Sequence, residues 1–201
     1  MKKSLYWILT AAFISLYFTP PSGTGYQVGD VVADFSGKDV TGKMISTKDF
    51  PKAKGYVIVF TCNTCPYAKL YEDRIISLAK KLDDASWPLI AINSNDRNMS
   101  PGDSYDKMQE RSRSKAFPFP YVHDESQSIV QAFGASKTPH FYILDAAKKV
   151  KYIGAMDDNA EEEAGVKINY VQEAIKAIEK NQDPDPSFTR AIGCSIKKRT
   201  T

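Results

Sequence analysis

The chain has 201 residues, 42% hydrophobic and 25% charged, with a formal net charge of +3. That is enough chain for one domain with a full apolar core, so folding does not require disulfide staples. Its basic residues fall in short clusters such as Lys148–Lys149 and Lys197–Lys198–Arg199, which read as solvated surface, and no nucleic-acid partner is expected.

In chain order, Lys2 and Lys3 precede an apolar run from Leu5 to Phe18, which "TPPSGTG" ends. A positive start, a hydrophobic segment short for a membrane span and a Pro/Ser/Gly break form a secretory signal pattern. Residues 1–24 are therefore expected to direct export, either cleaved or kept as an anchor with Trp7 and Tyr17 near the interfaces. The protein is expected in the periplasm or otherwise outside the cytosol, touching membrane only through that anchor. Residues 25–182 then form one domain, and 183–201 a tail lying over it or partly disordered.

"YQVGDVVADFSGKDVTGKMISTKDF" (26–50) alternates in short pieces between turn signals and predicts a hairpin-like extension. "GYVIVFT" (55–61) is a continuous β-branched and aromatic run, the pattern of a strand buried on both faces. After it, Ala68, Tyr71, Ile75, Leu78 and Leu82 recur at helical spacing. "WPLIAINSN" (87–95) predicts a second buried strand, and "DSYDKMQERSRSKA" a surface helix capped by Asp103 or Ser104. "SQSIVQAFGA" predicts a short helix capped by Ser126 and closed by Gly134. "HFYILDA" (140–146) and "KKVKYIGAM" (148–156) predict an antiparallel hairpin, and "INYVQEAIKAIEK" a closing helix. Asp157–Asp158 and Glu161–Glu162–Glu163 read as a solvated turn and a charged loop, and His123 as a structural or surface residue. A parallel βαβ half followed by a hairpin and a helix predicts an α/β fold, a central mixed sheet flanked by helices.

The cysteines are three: Cys62, Cys65 and Cys194. A disulfide framework uses more and an even number. A closed zinc site needs four ligands, and neither His123 nor His140 has finger-like spacing, so structural zinc is not expected. Cys62-Asn63-Thr64-Cys65 follows a buried strand and opens a helix, where amides at the helix N-terminus stabilise a thiolate and a second thiol can resolve a mixed disulfide. Cys62 is expected to be the exposed attacking thiol and Cys65 the more buried resolving one. Pro66 lacks an N–H and belongs in the first helical turn, which sets the expected helix start near Thr64 with the Thr64 hydroxyl as cap. Two other readings stand beside this one. The cysteines could be packing residues, or they could join His140 in a soft-metal site suited to Cu(I).

Thr138–Pro139 precedes the strand at His140. A proline there fits a strand's first position, or a cis-proline whose loop packs against a dithiol. His140 either tunes Cys62, ligates copper or is satisfied by a strand neighbour. Cys194 is a candidate third redox thiol, folding back to the pair or bridging to a partner, or a small residue in the tail.

Strand, CxxC, helix, Thr-Pro, hairpin and final helix are together similar to the thioredoxin superfamily. The segment from Val28 to Phe50 resembles the N-terminal extension of its redoxin and peroxiredoxin branch, with Ala33 where a proline often stands. "FTCNTCPY", "AINSND", "FPYVHDESQSIVQAFGASKTPHFYILD", "YIGAMDD" and "GCSIK" together resemble the peroxiredoxin-like AhpC/TSA group from about Val28 to Lys197. The resemblance implies a thioredoxin-like fold with an N-terminal β-hairpin extension and no cofactor. A peroxide-reducing member resembles Pro-x-x-x-Thr-x-x-Cys, and this chain departs from it. Aligning Cys65 puts Cys62 and Ile58 at the Thr and Pro positions, and aligning Cys62 puts Val59 and Gly55 there. The expectation is an exported thiol–disulfide oxidoreductase using Cys62, Cys65, Thr138 and Pro139 on protein thiols or disulfides, served by an upstream redox partner. Peroxide reduction and copper handling are the alternatives.

Overall fold

A computed structural model describes residues 25–82 and 86–199. The expected export segment, residues 1–24, lies outside the described residues. Among those residues no helix is long and apolar enough to cross a membrane.

The sheet is built outward from β3 (Gly55–Phe60), whose six residues are all buried. It pairs in parallel with β4 (Leu89–Asn93) and antiparallel with β7 (His140–Asp145), with Phe60 opposite His140. β7 turns back into β8 (Val150–Gly154), the expected hairpin. On the other side β4 pairs in parallel with β5 (Tyr121–His123). The N-terminal hairpin, β1 (Ser36–Asp39) and β2 (Met44–Ser46), joins the edge through β5, giving one mixed sheet ordered β2-β1-β5-β4-β3-β7-β8. β5 is the strand the sequence pattern does not announce. It has three residues, and Pro118 and Pro120 just before it read as loop.

Alternation along β3 divides the core. Val57 and Val59 face a cluster with Ile75, Leu78, Phe141, Ile143 and Ile175, under α1 (Pro66–Lys81), α2 (Tyr105–Lys115) and α4 (Tyr170–Glu179). Ile58 and Phe60 face the opposite cluster, with Ile90, Ile92, Phe133 and Leu144, against α3 (Ser128–Phe133). A helix-covered sheet buried on both faces explains why the middles of the central strands are apolar, with Asn93, His140 and Asp145 at strand ends, each large apolar side chain gaining about 1.5–3 kcal/mol from burial. Phe133 is the hub of the second layer, with the rings of Tyr26, Phe60 and Tyr142 edge-on at 5.3, 5.3 and 5.1 Å.

Gly134 ends α3 at φ +72°, as the sequence predicts. Ser126 does not cap that helix. Gln127 occupies the cap, and the Asp124 carboxylate takes the Ile129 and Val130 amides at 3.2 and 2.9 Å, a charged acceptor outcompeting a hydroxyl. Asp157 is not in a solvated turn either. It is 3% exposed, and the Arg74 guanidinium and Tyr71 hydroxyl, both from α1, donate to it at 3.0 and 2.8 Å. A buried arginine on α1 needs a counter-charge, and the turn after β8 folds over to supply it.

After α4 the chain runs back across the domain. Thr189 hydrogen-bonds to β8 through its amide and to the Ala155 amide through its hydroxyl. A second, two-stranded ribbon pairs β6 (Lys137–Thr138) with β9 (Cys194–Ser195) in antiparallel register, Thr138 opposite Cys194. Ile196 is buried beyond it, and the Lys197 amide donates to Asn95 Oδ1 at 2.8 Å.

Candidate redox site

The site is built where β3 hands over to α1. Pro66 takes the first helical position and Cys65 becomes the N-cap in extended conformation (φ −67°, ψ 127°), as expected for a residue before proline. The helix therefore starts two residues later than Thr64, and the Thr64 hydroxyl is not its cap. That hydroxyl donates instead to Asp103 Oδ2 at 2.7 Å.

Asp103 is the residue that sequence reasoning undervalued. Expected as a cap at the start of α2, it is completely buried beneath the Cys62–Cys65 loop. Its carboxylate accepts from the Asn63 amide (2.6 Å), Thr64 Oγ1 (2.7 Å), Ser100 Oγ (2.6 Å), Asn95 Nδ2 (2.9 Å) and Asn93 Nδ2 (3.1 Å). Burial alone would raise the carboxyl, but the donors from Ser100, Asn95, Thr64 and Asn63 outweigh it and hold Asp103 below its ordinary 3.8. The available signal was "AINSND", a buried strand ending in polar residues that must find partners. Asp103→Asn keeps the shape but turns one accepting oxygen into an NH2 group facing donors, and is expected to cost about 1–3 kcal/mol in denaturant unfolding. Because the folded carboxyl is depressed, its contribution is complete above the unfolded value and is lost as pH falls through the folded one. Wild-type stability should therefore fall more steeply on the acid side than that of Asp103→Asn. Parallel acid limbs would count against the assignment.

Thr138 holds both cysteines at once. Its hydroxyl lies 3.3 Å from Cys62 Sγ, and its carbonyl accepts from Cys65 Sγ at 3.2 Å. The Thr138–Pro139 bond is cis, so the proline stands in the loop packed against the pair. The Cys194 amide donates to Cys65 Sγ at 3.4 Å, and all three cysteines are free thiols. The structure thus brings together Cys62, Cys65, Thr138, Pro139 and Cys194.

Exposure differs from expectation. Cys62 is 7% and Cys65 3% exposed, so neither thiol stands in the open. The Thr138 loop and β9 cover them. A narrow cleft nevertheless reaches Cys62 between Asn63, Ala68, Phe117, Phe119 and Tyr121, and Cys65 is not in its wall. Charge is divided the other way. The hydrogen bond from Cys62 to Cys65 pushes Cys62 up, as do burial and the Asp103 carboxylate. The same bond holds Cys65 down to about 4, helped by Cys194 and by the Ala68 amide in the first turn of α1.

His140 is 8% exposed, tilted against Tyr142 at 5.0 Å, with Nδ1 lacking a hydrogen-bond partner. Burial pushes it down to about 4, so it is neutral. The leading influences on the Cys62 thiol come from Cys65, burial, Asp103 and Thr138. Among the described residues no three or more His, Cys, Asp or Glu side chains form a group able to hold a metal ion. The copper set of Cys62, Cys65 and His140 is therefore not assembled.

The model of the AhpC/TSA family matches residues 28–153. A hypothetical protein from Sinorhizobium meliloti superposes with a TM-score of 0.82 at 26% identity, covering 88% of this chain and 97% of its own. An uncharacterized conserved protein from Geobacillus kaustophilus gives 0.80 at 30% identity, over 87% and 94%. A thiol:disulfide interchange protein of the thioredoxin family from Chlorobium tepidum gives 0.53 at 18% identity, over 64% and 86%, a likeness of fold. No curated protein matches the chain.

Proposed function

Because the chain belongs to the AhpC/TSA family and has the thioredoxin-like fold, we propose that it is a thiol–disulfide oxidoreductase working through Cys62 and Cys65 on protein disulfides. The observation that carries this reading is Thr138, which offers a donor to one sulfur and an acceptor to the other. The basic, then apolar, first 24 residues support an exported protein.

In the reduced pair the Thr138 carbonyl accepts from a protonated Cys65 Sγ, and the Thr138 hydroxyl faces Cys62 Sγ. Loss of the Cys62 proton to water at the cleft gives a Cys62 thiolate, to which the Thr138 hydroxyl donates. The thiolate attacks one sulfur of a substrate disulfide. That bond breaks, and the departing sulfur leaves with the electron pair and takes a proton from water. Cys65 then loses its proton and attacks Cys62 Sγ, releasing the second substrate sulfur as a thiolate. The substrate disulfide gains two electrons and the chain is left with a Cys62–Cys65 bond, which an upstream thiol donor reverses. A peroxide-reducing role is disfavoured by the sequence, since neither register of the pair puts a proline and a threonine where the peroxide-reducing pattern has them.

The test is to equilibrate the protein across glutathione redox buffers, alkylate free thiols and map the bridges by mass spectrometry. In parallel, reduction of insulin disulfides is followed with dithiothreitol as donor. A two-electron transition to a Cys62–Cys65 bridge, with insulin reduction above the dithiothreitol background, is expected. A pair that never bridges, or that bridges without catalysis, overturns the proposal.

A further inference from the structure

Cys65 has a second sulfur neighbour besides Cys62. Besides the 3.4 Å bond from its amide, the Cys194 side chain acts on the Cys65 thiol, and the two share one small buried cluster with Cys62. This approach is built into the backbone. The register Thr138 to Cys194 lays β9 against the strand that carries both contacts to the pair. Gly193, at φ +153°, lets the chain pass so close that a Cβ there would lie 2.1 Å from the Thr138 carbonyl oxygen. On the other side of Cys194, the Ile196 amide donates to Ser136 and the Asp96 amide to Lys197. The third cysteine is thus pinned from both sides, and it is the one of the three that is not fully buried.

Building on the Cys62/Cys65 exchange above, we propose that Cys194 completes a three-thiol relay in which Cys65 is shared between two alternative disulfides. The Cys194 thiolate attacks Cys65 Sγ in the Cys62–Cys65 bond, a Cys65–Cys194 bond forms, and the electron pair leaves on Cys62, which takes up the proton Cys194 gave away. Nothing is oxidised or reduced overall, and the two oxidising equivalents move to the half-buried C-terminal segment. A thiol of the upstream donor protein then attacks Cys194, and Cys65 departs as a thiolate. A second donor thiol closes the donor's own disulfide and frees Cys194.

The electrostatics gate this sequence. Cys194 is pushed up to about 11, first by burial and then by its hydrogen bond to Cys65 and by charge on Cys65, while Lys197 and Lys137 pull it down. Once Cys65 is in a disulfide that charge is gone and the lysines remain, so Cys194 becomes more acidic when its target has formed. In the last step Cys65, the thiol whose surroundings most favour its thiolate, is the leaving group.

Diamide, a two-electron thiol oxidant, tests the relay. Wild type and Cys62→Ser are oxidised, alkylated and mapped without reduction. The Cys65–Cys194 bridge is expected as the main product in Cys62→Ser and alongside Cys62–Cys65 in wild type. Its absence from either protein overturns the relay. Wild type with Cys62–Cys65 but never Cys65–Cys194 leaves the exchange function standing, whereas wild type with no internal bridge removes both.

Discussion

A Cys65→Ser variant is expected to accumulate a mixed disulfide to its substrate through Cys62, while Cys62→Ser accumulates none. Two effects compete over which sulfur attacks first. The surroundings of Cys65 favour its thiolate, but a thiolate held near 4 is a poor nucleophile. With a Brønsted slope of about 0.4–0.5, a thiolate some five pKa units below an ordinary cysteine loses roughly a hundredfold in reactivity. Access points the same way, since the cleft ends on Cys62. Cys65 is therefore better suited to resolve the bond and to leave than to begin it. Both variants should lose turnover by on the order of a thousandfold or more, as expected when one member of a covalent relay is removed. They differ in what is trapped, read by non-reducing electrophoresis and mass spectrometry with an insulin-derived disulfide peptide. Trapping through Cys65 in Cys62→Ser, and none through Cys62 in Cys65→Ser, would reverse the roles.

The largest loss of stability is expected from Arg74→Ala. Arg74 and Asp157 are 6% and 1% exposed as side chains, 3.0 Å apart, and the guanidinium also donates to the Asn159 carbonyl at 2.7 Å. Removing the cation leaves Asp157 buried with the Tyr71 hydroxyl as its remaining side-chain donor, at a cost of about 3–5 kcal/mol. For a domain of this size that lowers the melting temperature by roughly 10 °C. Asp157→Leu should also cost stability, because it leaves the buried guanidinium only the Asn159 carbonyl and the exposed Glu163 carboxylate as partners. The double variant Arg74→Met/Asp157→Leu should recover much of the loss, since no unpaired charge is left behind. Calorimetry on the four proteins of the cycle checks this. A double variant as unstable as the sum of the singles would mean that the pair acts through packing rather than charge.

These two sites mark where the sequence stops being legible. β3, α1 and the β7–β8 hairpin are announced by apolar runs and by helical spacing, because burial imposes those periods locally. The cysteine pair and Thr138–Pro139 are legible for the same reason, since their meaning lies in position within those elements. Asp103 and Asp157 are not. Asp103 meets the cysteine loop through Asn63, 40 residues away, and Asp157 meets Arg74, 83 residues away, and nothing in "PGDS" or "AMDD" shows that the acid faces inward. A buried carboxylate and a solvated one look alike until the opposite strand or helix is in place. β5 fails for a different cause, being three residues long between prolines and an acidic turn. Cys194, 129 residues from Cys65, is visible as a cysteine but not as a neighbour.

The return of the C-terminal segment across the domain has a consequence for the order of assembly. As the chain leaves the ribosome, Cys62 and Cys65 emerge close together and far ahead of Cys194. The local pair can therefore meet while the competing sulfur is still unsynthesised. The ribbon of β6 and β9 needs residues 194 and 195, which are synthesised after the rest of the domain, so Cys194 becomes available to Cys65 only once the local pair is already in place.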